Sequence, residues 1–226
     1  GGRVTVGLAP TTAALLGLPL LRHLKEHYPK IVLNMIVALP VHLDERARQS
    51  LLDVAVLFSK TAASELVFEP LLEEPVLVIV PAGSTLVRPE AESLTLAEVA
   101  ELPLVLSSPL NFMRRRIAME LERAGLTERI VAEIDSVELV MRYVAEGGGA
   151  TIQPWGATRA HGTPADWRCL PISDVPLSRT NYLYALPMQR LTASGAIVRA
   201  EIRSVVRNLV TSGMWRGGNL LEATRT

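Results

Sequence analysis

Two hydroxyl pairs are the residues in this chain best placed to hold a ligand. Thr11-Thr12 follows the apolar, β-branched run Val4–Leu8 and Pro10, and precedes Leu15, Leu16, Leu18, Leu20, Leu21 and Leu24 at helical spacing. Ser107-Ser108 ends a second apolar run that begins at Leu102, ahead of a helical pattern over residues 111–124. In both places a strand gives way to a helix. Such a turn lies at the carboxyl end of its strand, where open α/β sheets bind ligands. The helix start offers free N–H groups to an anion or another polar ligand. Ser136 heads a third helical pattern, residues 137–145, which either it or Asp135 could cap. Capping by Thr or Ser explains the same placement without a ligand. For Ser107 and Ser108, a solvated turn before Pro109 is an equal reading.

Other residues offer sharper chemistry that their surroundings do not support. His23 and His27 have the i, i+4 spacing of metal ligands. Zinc needs a third and usually a fourth ligand, and a chain with four histidines and one cysteine provides no cluster, so no metal site is expected. Arg114, Arg115 and Arg116 lie near a helix start, where the dipole disfavours cations. They read as a solvated face, or as partners of an acidic effector. Gly147–Gly149 lacks the spacing and following helix of a phosphate loop and reads as a turn. Cys169 has no base nearby in sequence, so a nucleophilic role is not expected. No G-x-S-x-G, H-E-x-x-H or P-loop pattern occurs, and neither a catalytic residue nor a cofactor is expected.

The elements that would position these hydroxyls alternate along the chain. Val4–Leu8, Ile31–Ala38 and Asp53–Phe58 read as strands, with helices over residues 12–27 and 41–52 between them: β-α-β-α-β, the pattern of a parallel sheet covered by helices. Leu66–Glu74 and Pro75–Pro81 read as two further strands. Thr95 caps a short helix with Glu98 as its capping-box partner. A second β-α-β-α-β run covers Leu102–Gln153, so two α/β lobes are expected. Residues 155–178 read as loop, Asn181–Leu186 as a returning strand, and Ala196–Val210 as an amphipathic helix. Residues 213–226 have no periodicity and read as a flexible tail. Phe58 or Leu39 could wall a pocket, but a core position is the favoured reading for either.

Composition narrows the partners. Lys+Arg and Asp+Glu balance at 23 each, so the chain has no general electrostatic attraction for nucleic acid or anionic membrane. A single cysteine excludes an internal disulfide framework and suits a reducing cytoplasm. No apolar run is long enough to span a bilayer. Gly1 and Gly2 lead straight into a strand without a secretory signal, which suggests an upstream domain outside this chain or the scar of a tag.

Several segments together resemble the effector-binding domain of LysR-type transcriptional regulators. These are the Gly2-Arg3-Val4-Thr5-Val6-Gly7-Leu8 strand with its helix to Tyr28-Pro29, Asp53-Val54-Ala55-Val56 after a Leu-Leu helix end, Phe68-Glu69-Pro70-Leu71, and Val144–Pro154 with its glycines. The order and spacing of these segments carry the resemblance, from about Gly2 to Leu209. The Gly7-Leu8-Ala9-Pro10 turn looks most like the branch that includes nitrogen-assimilation regulators. The resemblance implies an α/β fold of the type 2 periplasmic-binding-protein class. Two Rossmann-like lobes would be joined by crossover strands, here Val76–Val80 and Tyr182–Leu186. Lobe I would comprise residues 1–80 and 187–212, and lobe II residues 81–186.

A small-molecule effector, an anion or carboxylate among the candidates, would bind in the cleft between the lobes. Thr11, Thr12, Ser107, Ser108 and Ser136 would face it, and the resemblance adds Gln153 and Pro154. The first-lobe helix, with more leucines than one core face needs, would pair with a second copy in a homodimer or homotetramer. DNA would be bound only through an N-terminal winged helix-turn-helix absent from this chain, with RNA polymerase a further partner and no membrane involved. The expected function is therefore effector sensing in a cytoplasmic regulator, with no enzymatic activity. The alternative is a transport-type solute-binding protein.

Overall fold

The computed structural model describes residues 2–60 and 67–222. The chain forms two compact units, Gly1–Glu74 with Arg179–Thr226, and Pro75–Ser178. It passes between them at Glu74–Pro75 and Ser178–Arg179, earlier in the chain than the divisions drawn at 80/81 and 186/187.

The first unit is built on parallel strands β1 (Gly2–Leu8), β2 (Ile31–Val37) and β3 (Val54–Leu57), with β1 in the middle. Helices α1 (Pro10–His27) and α2 (Pro40–Arg48) connect them. Asp53 joins the central strands: its backbone N–H donates to Thr5 O at 3.0 Å, and its carboxylate accepts from Thr5 N at 2.7 Å. The sequence pattern runs the helix to Leu52 and straight into the strand, but α2 ends at Arg48 and residues 49–53 lie between it and β3, where Asp53 ties the connection to β1. In α1, Leu15, Leu16, Leu20 and Leu24 are buried, while Leu18 and Leu21 face solvent.

Strand β4 (Val67–Pro81) is continuous where the sequence suggested two strands; Leu66 lies outside the described residues. Prolines disfavour strand interiors, but Pro75 falls where β4 changes partners. Leu72 and Glu73 pair with β10 (Asn219–Leu220), and Val76–Pro81 with β7 (Thr151–Pro154) and β8 (Trp167–Leu170). Strand β9 (Ser178–Ala185) returns antiparallel to β3 over Tyr182–Ala185, which places the second expected crossover inside the first unit's sheet. Helix α6 (Ala193–Thr211) buries Val198, Ile202, Val205, Val206 and Leu209. The stretch read as a tail is built into the fold at two points: Trp215 is buried and β10 pairs with β4.

In the second unit, β5 (Pro103–Leu106) runs parallel to β6 (Arg129–Glu133), and a parallel bridge joins Leu104 to Ala150 just before β7. Helices α3 (Leu96–Ala100), α4 (Phe112–Arg123) and α5 (Val137–Ala145) cover a core that includes Val78, Val80, Leu104, Leu106, Ile117, Leu121 and Ile152. The glycine run is the turn that brings β7 to β5. Gly149 has φ +147°, and a Cβ there would lie 2.3 Å from Pro103 O. That approach allows Ala150 N to donate to Pro103 O and Val105 N to Ala150 O, both at 2.8 Å. The segment read as loop between residues 155 and 178 contains β8 and two short 3-10 turns, Trp155–Arg159 and Pro164–Asp166.

Candidate functional site

Each unit carries its hydroxyls at the carboxyl ends of its parallel strands. In the first unit the ends of β1 and β2 lead directly into α1 and α2. The residue that caps α1 differs from the sequence expectation. Ala9 is the N-cap and Pro10 the first helical residue, so Thr11 and Thr12 lie inside the first turn. Proline's fixed φ and missing N–H suit that first position, which displaces the threonines by one turn position or more. Among the described residues no side chain caps α1, and no acidic residue lies in its first turn. By helix geometry the Thr11 and Thr12 N–H groups have no intrahelical carbonyl.

A buried polar cluster that the sequence reading missed adjoins this helix start. Arg179 Nη2 donates to Thr11 Oγ1 at 3.0 Å and to Glu74 Oε1 at 3.3 Å. Asn181 Nδ2 donates to Glu74 Oε2 at 2.9 Å. The guanidinium lies over the Phe58 ring, with Cζ 3.7 Å from its centroid. Phe58 thus packs both on this guanidinium and against the cluster that includes Leu43, Ala55 and Tyr184. Burial pushes the Glu74 carboxyl above its ordinary range, and Arg179 and Asn181 pull it part of the way back. Thr12 Oγ1, Arg179 Nε and Asn181 Oδ1 are buried without hydrogen-bond partners. The available signals were an acid pair interrupting an apolar strand at Glu73-Glu74 and an arginine heading the Asn181–Leu186 run. Neither indicates a partner more than a hundred residues away.

In the second unit, Ser107 and Ser108 follow β5, Ser136 follows β6, and Gln153 and Pro154 end β7. All five lie toward the carboxyl ends of strands that run parallel. Ser108 N donates to Asp135 Oδ1 at 2.8 Å, linking the turns after β5 and β6. Ser136 caps α5, its Oγ accepting from Leu139 N at 3.3 Å. Asn111 caps α4 through Met113 N and Arg114 N. Gln153 Nε2 donates to Thr151 Oγ1 at 3.3 Å. Ser108 Oγ is buried and unpartnered.

The arginine run has local partners. Arg114 Nη1 donates to Ser107 O and Glu133, both at 2.7 Å. Arg115 donates to Pro109 O and Leu110 O, and Arg116 to Glu120. His23 pairs with Glu201, and His27 Nδ1 lies 2.9 Å from His23 O. Among the described residues no group of three or more His, Cys, Asp or Glu could hold a metal. A cavity of about 540 Å³ in the second unit is lined by Leu86, Val87, Leu94, Leu102, Pro103 and Arg129 among others. Pro103 and Arg129 begin β5 and β6, so this cavity lies at the opposite strand ends from the hydroxyls.

The model of the LysR substrate binding domain matches residues 1–207. The chain belongs to this family. A LysR substrate-binding domain is a regulator's module and not a member of an enzyme family. Among curated relatives, the nitrogen assimilation regulatory protein nac of Klebsiella aerogenes is 30% identical over 160 residues, 70% of this chain and 51% of the relative. The chain thus spans about half the length of the curated relatives it matches first. The fold is that of solved LysR-type regulatory domains. The regulatory domain of Synechocystis PCC6803 CcmR, in complex with 2-PG, aligns with a TM-score of 0.79 at 18% identity, covering 92% of this chain and 99% of the other. The effector binding domain of QuiR, in complex with shikimate, aligns at 0.73 and 16% identity, covering 92% and 96%. Among the described residues no helix of this LysR domain is long and apolar enough to cross a membrane.

Proposed function

We infer that this LysR substrate-binding domain is the effector-sensing part of a cytoplasmic transcriptional regulator, and that it binds a small molecule through the carboxyl-end rims of its two units. Thr11 and Thr12 contribute from the first unit, and Ser107, Ser108, Ser136, Gln153 and Pro154 from the second. The observation that carries this reading is the unsatisfied helix start at Thr11-Thr12 beside Arg179, in a domain whose family match spans residues 1–207. The CcmR and QuiR domains of this fold were solved with small molecules bound. An effector changes the regulator's state only by binding one conformation better than another. The protein binds DNA through a domain outside this chain, contacts RNA polymerase at its promoters, and carries out no catalysis here. Its family sets aside the transport reading, because the matched domain and its curated relatives are regulators.

Self-association completes the reading. Leu18 and Leu21 on α1 and Val32 on β2 are exposed, at 62%, 41% and 57%. Strand β2 is also the edge of its sheet. An apolar face next to a free strand edge favours a two-fold interface with a second copy, in a homodimer or homotetramer. Light scattering on this chain checks it, and a strict monomer at high concentration contradicts it.

The effector reading is tested by a thermal-shift screen against carboxylates, amino acids, and sulfur and nitrogen metabolites. A ligand at a hundred times its Kd adds about 2.7 kcal/mol of stability. The gain should shrink in Thr11→Ala/Thr12→Ala and in Ser107→Ala/Ser108→Ala. A hit with undiminished effect in both variants contradicts the assignment.

A further inference from the structure

The cavity at the amino ends of β5 and β6 has no part in the effector reading, and every residue lining it belongs to the second unit. Its volume of about 540 Å³ is that of a small-molecule site, which typically spans about 300–1,000 Å³. Leu86, Val87, Leu94, Leu102 and Pro103 give it an apolar wall, and Val87, Leu94 and Leu102 are buried. Arg168 on β8 donates to the carbonyls of Val87, Arg88, Pro89 and Ala91. One guanidinium thus fixes the loop that forms this side of the cavity. The rest of the lining is charged: Arg88, Glu98, Glu101 and Arg129. Two of these charges are already engaged, because Arg88 pairs with Glu98, whose other carboxylate oxygen accepts from Thr95 N at 3.1 Å. Among the described residues, the Glu101 and Arg129 side chains make no ion pair or hydrogen bond. Glu101 is the C-cap of α3, two residues before Pro103, and Arg129 stands opposite Pro103 in the β5–β6 register. A free anion and a free cation therefore flank one apolar wall. The lining carries two charges of each sign, so a ligand with a net charge meets repulsion as well as attraction. A ligand with both signs and an apolar body is complementary to all three features.

We propose that this cavity is a second small-molecule site, separate from the effector rims, and that it takes an amino acid with a large apolar side chain. The ligand's carboxylate meets Arg129, its ammonium meets Glu101, and its side chain lies against Leu94 and Leu102. Both charged residues are exposed, and an exposed charge contact is weak by itself. Selectivity therefore comes from engaging both charges and the apolar wall at once.

The test is a calorimetric titration of this chain with L-leucine and L-phenylalanine. Isocaproate and hydrocinnamate serve as counterparts lacking the ammonium, and isoamylamine and phenethylamine as counterparts lacking the carboxylate. At least one amino acid should bind several-fold more tightly than both of its counterparts. Arg129→Gln and Glu101→Gln, at exposed positions where the fold tolerates exchange, should each weaken that binding several-fold. Thr11→Ala/Thr12→Ala and Ser107→Ala/Ser108→Ala should leave it unchanged. No binding by either amino acid, equal binding by a counterpart, undiminished binding in Arg129→Gln or Glu101→Gln, or loss in a rim variant overturns the proposal. The effector rims are tested on ligands whose thermal shift survives Arg129→Gln, so either site can fail without the other.

Discussion

The two units carry the same kind of rim and satisfy it differently. In the second unit, Asn111 caps α4, Ser136 caps α5, Asp135 accepts from Ser108 N, and Arg114 is shared between Ser107 O and Glu133. Among the described residues, Ser108 Oγ is the one unpartnered buried side-chain atom on this rim. In the first unit α1 starts uncapped, and Thr12, Arg179 and Asn181 each keep an unsatisfied buried atom. Local polar contacts thus satisfy more of the second rim, while the first keeps more buried polar atoms without a protein partner.

The largest effect expected from breaking this contrast is at the buried pair. Arg179→Gln leaves Glu74 buried without its counter-ion and should cost about 3–5 kcal/mol in chemical denaturation, with most of the loss recovered in Glu74→Gln/Arg179→Gln. If the single and double variants lose equal stability, the pair is not what holds this region.

Helix caps give an intermediate effect that sharpens the contrast. Asn111→Ala removes a cap with two backbone partners and should cost about 1 kcal/mol. Thr12→Val removes a buried hydroxyl that has no partner, and should be neutral or stabilise by up to about 1 kcal/mol. A Thr12→Val loss equal to that of Asn111→Ala would show that the Thr12 hydroxyl is satisfied in solution.

The smallest effect is in pH dependence, where the units should differ in sign. Glu98 in the second unit is held below its ordinary range chiefly by the Thr95 N–H, with Arg88 adding to it. Its contribution is present above the ordinary carboxylate pKa and lost as pH falls through the lowered folded value. Glu74 is raised by burial. Its contribution is therefore full below the ordinary carboxylate pKa and lost as pH rises through the raised folded value. Melting curves across the acid range should show Glu98→Gln reducing the loss of stability on acidification and Glu74→Gln reducing the loss on the rising side. Identical pH profiles for the two variants contradict the assignment of opposite shifts.

Much of this architecture was legible because it is local. The parallel βα units follow from periodicity, α5 spans Val137–Ala145 with Ser136, one of the two residues read as its cap, at the N-cap, and the Thr95–Glu98 capping box forms as spaced. What could not be read depends on partners distant in the chain. Glu74 and Arg179 lie 105 residues apart, and nothing near either one specifies the other. Trp215 and β10 lack periodicity because only two residues pair, against a strand whose place is set by the fold. Pro75 suggested a break because sequence cannot show that β4 changes partners there. Pro10 favoured a threonine cap in sequence, yet its own conformation made it the first residue of the helix.

Hydrogen exchange on the bound domain tests the central claim most directly. At saturation with a thermal-shift hit, the amides of Thr11–Ala13 and of Ser108–Arg114 should exchange more slowly, with the larger change at the start of α1. Protection confined to Leu86–Leu102, beside the second unit's apolar cavity, or unchanged exchange at both helix starts, would contradict the account.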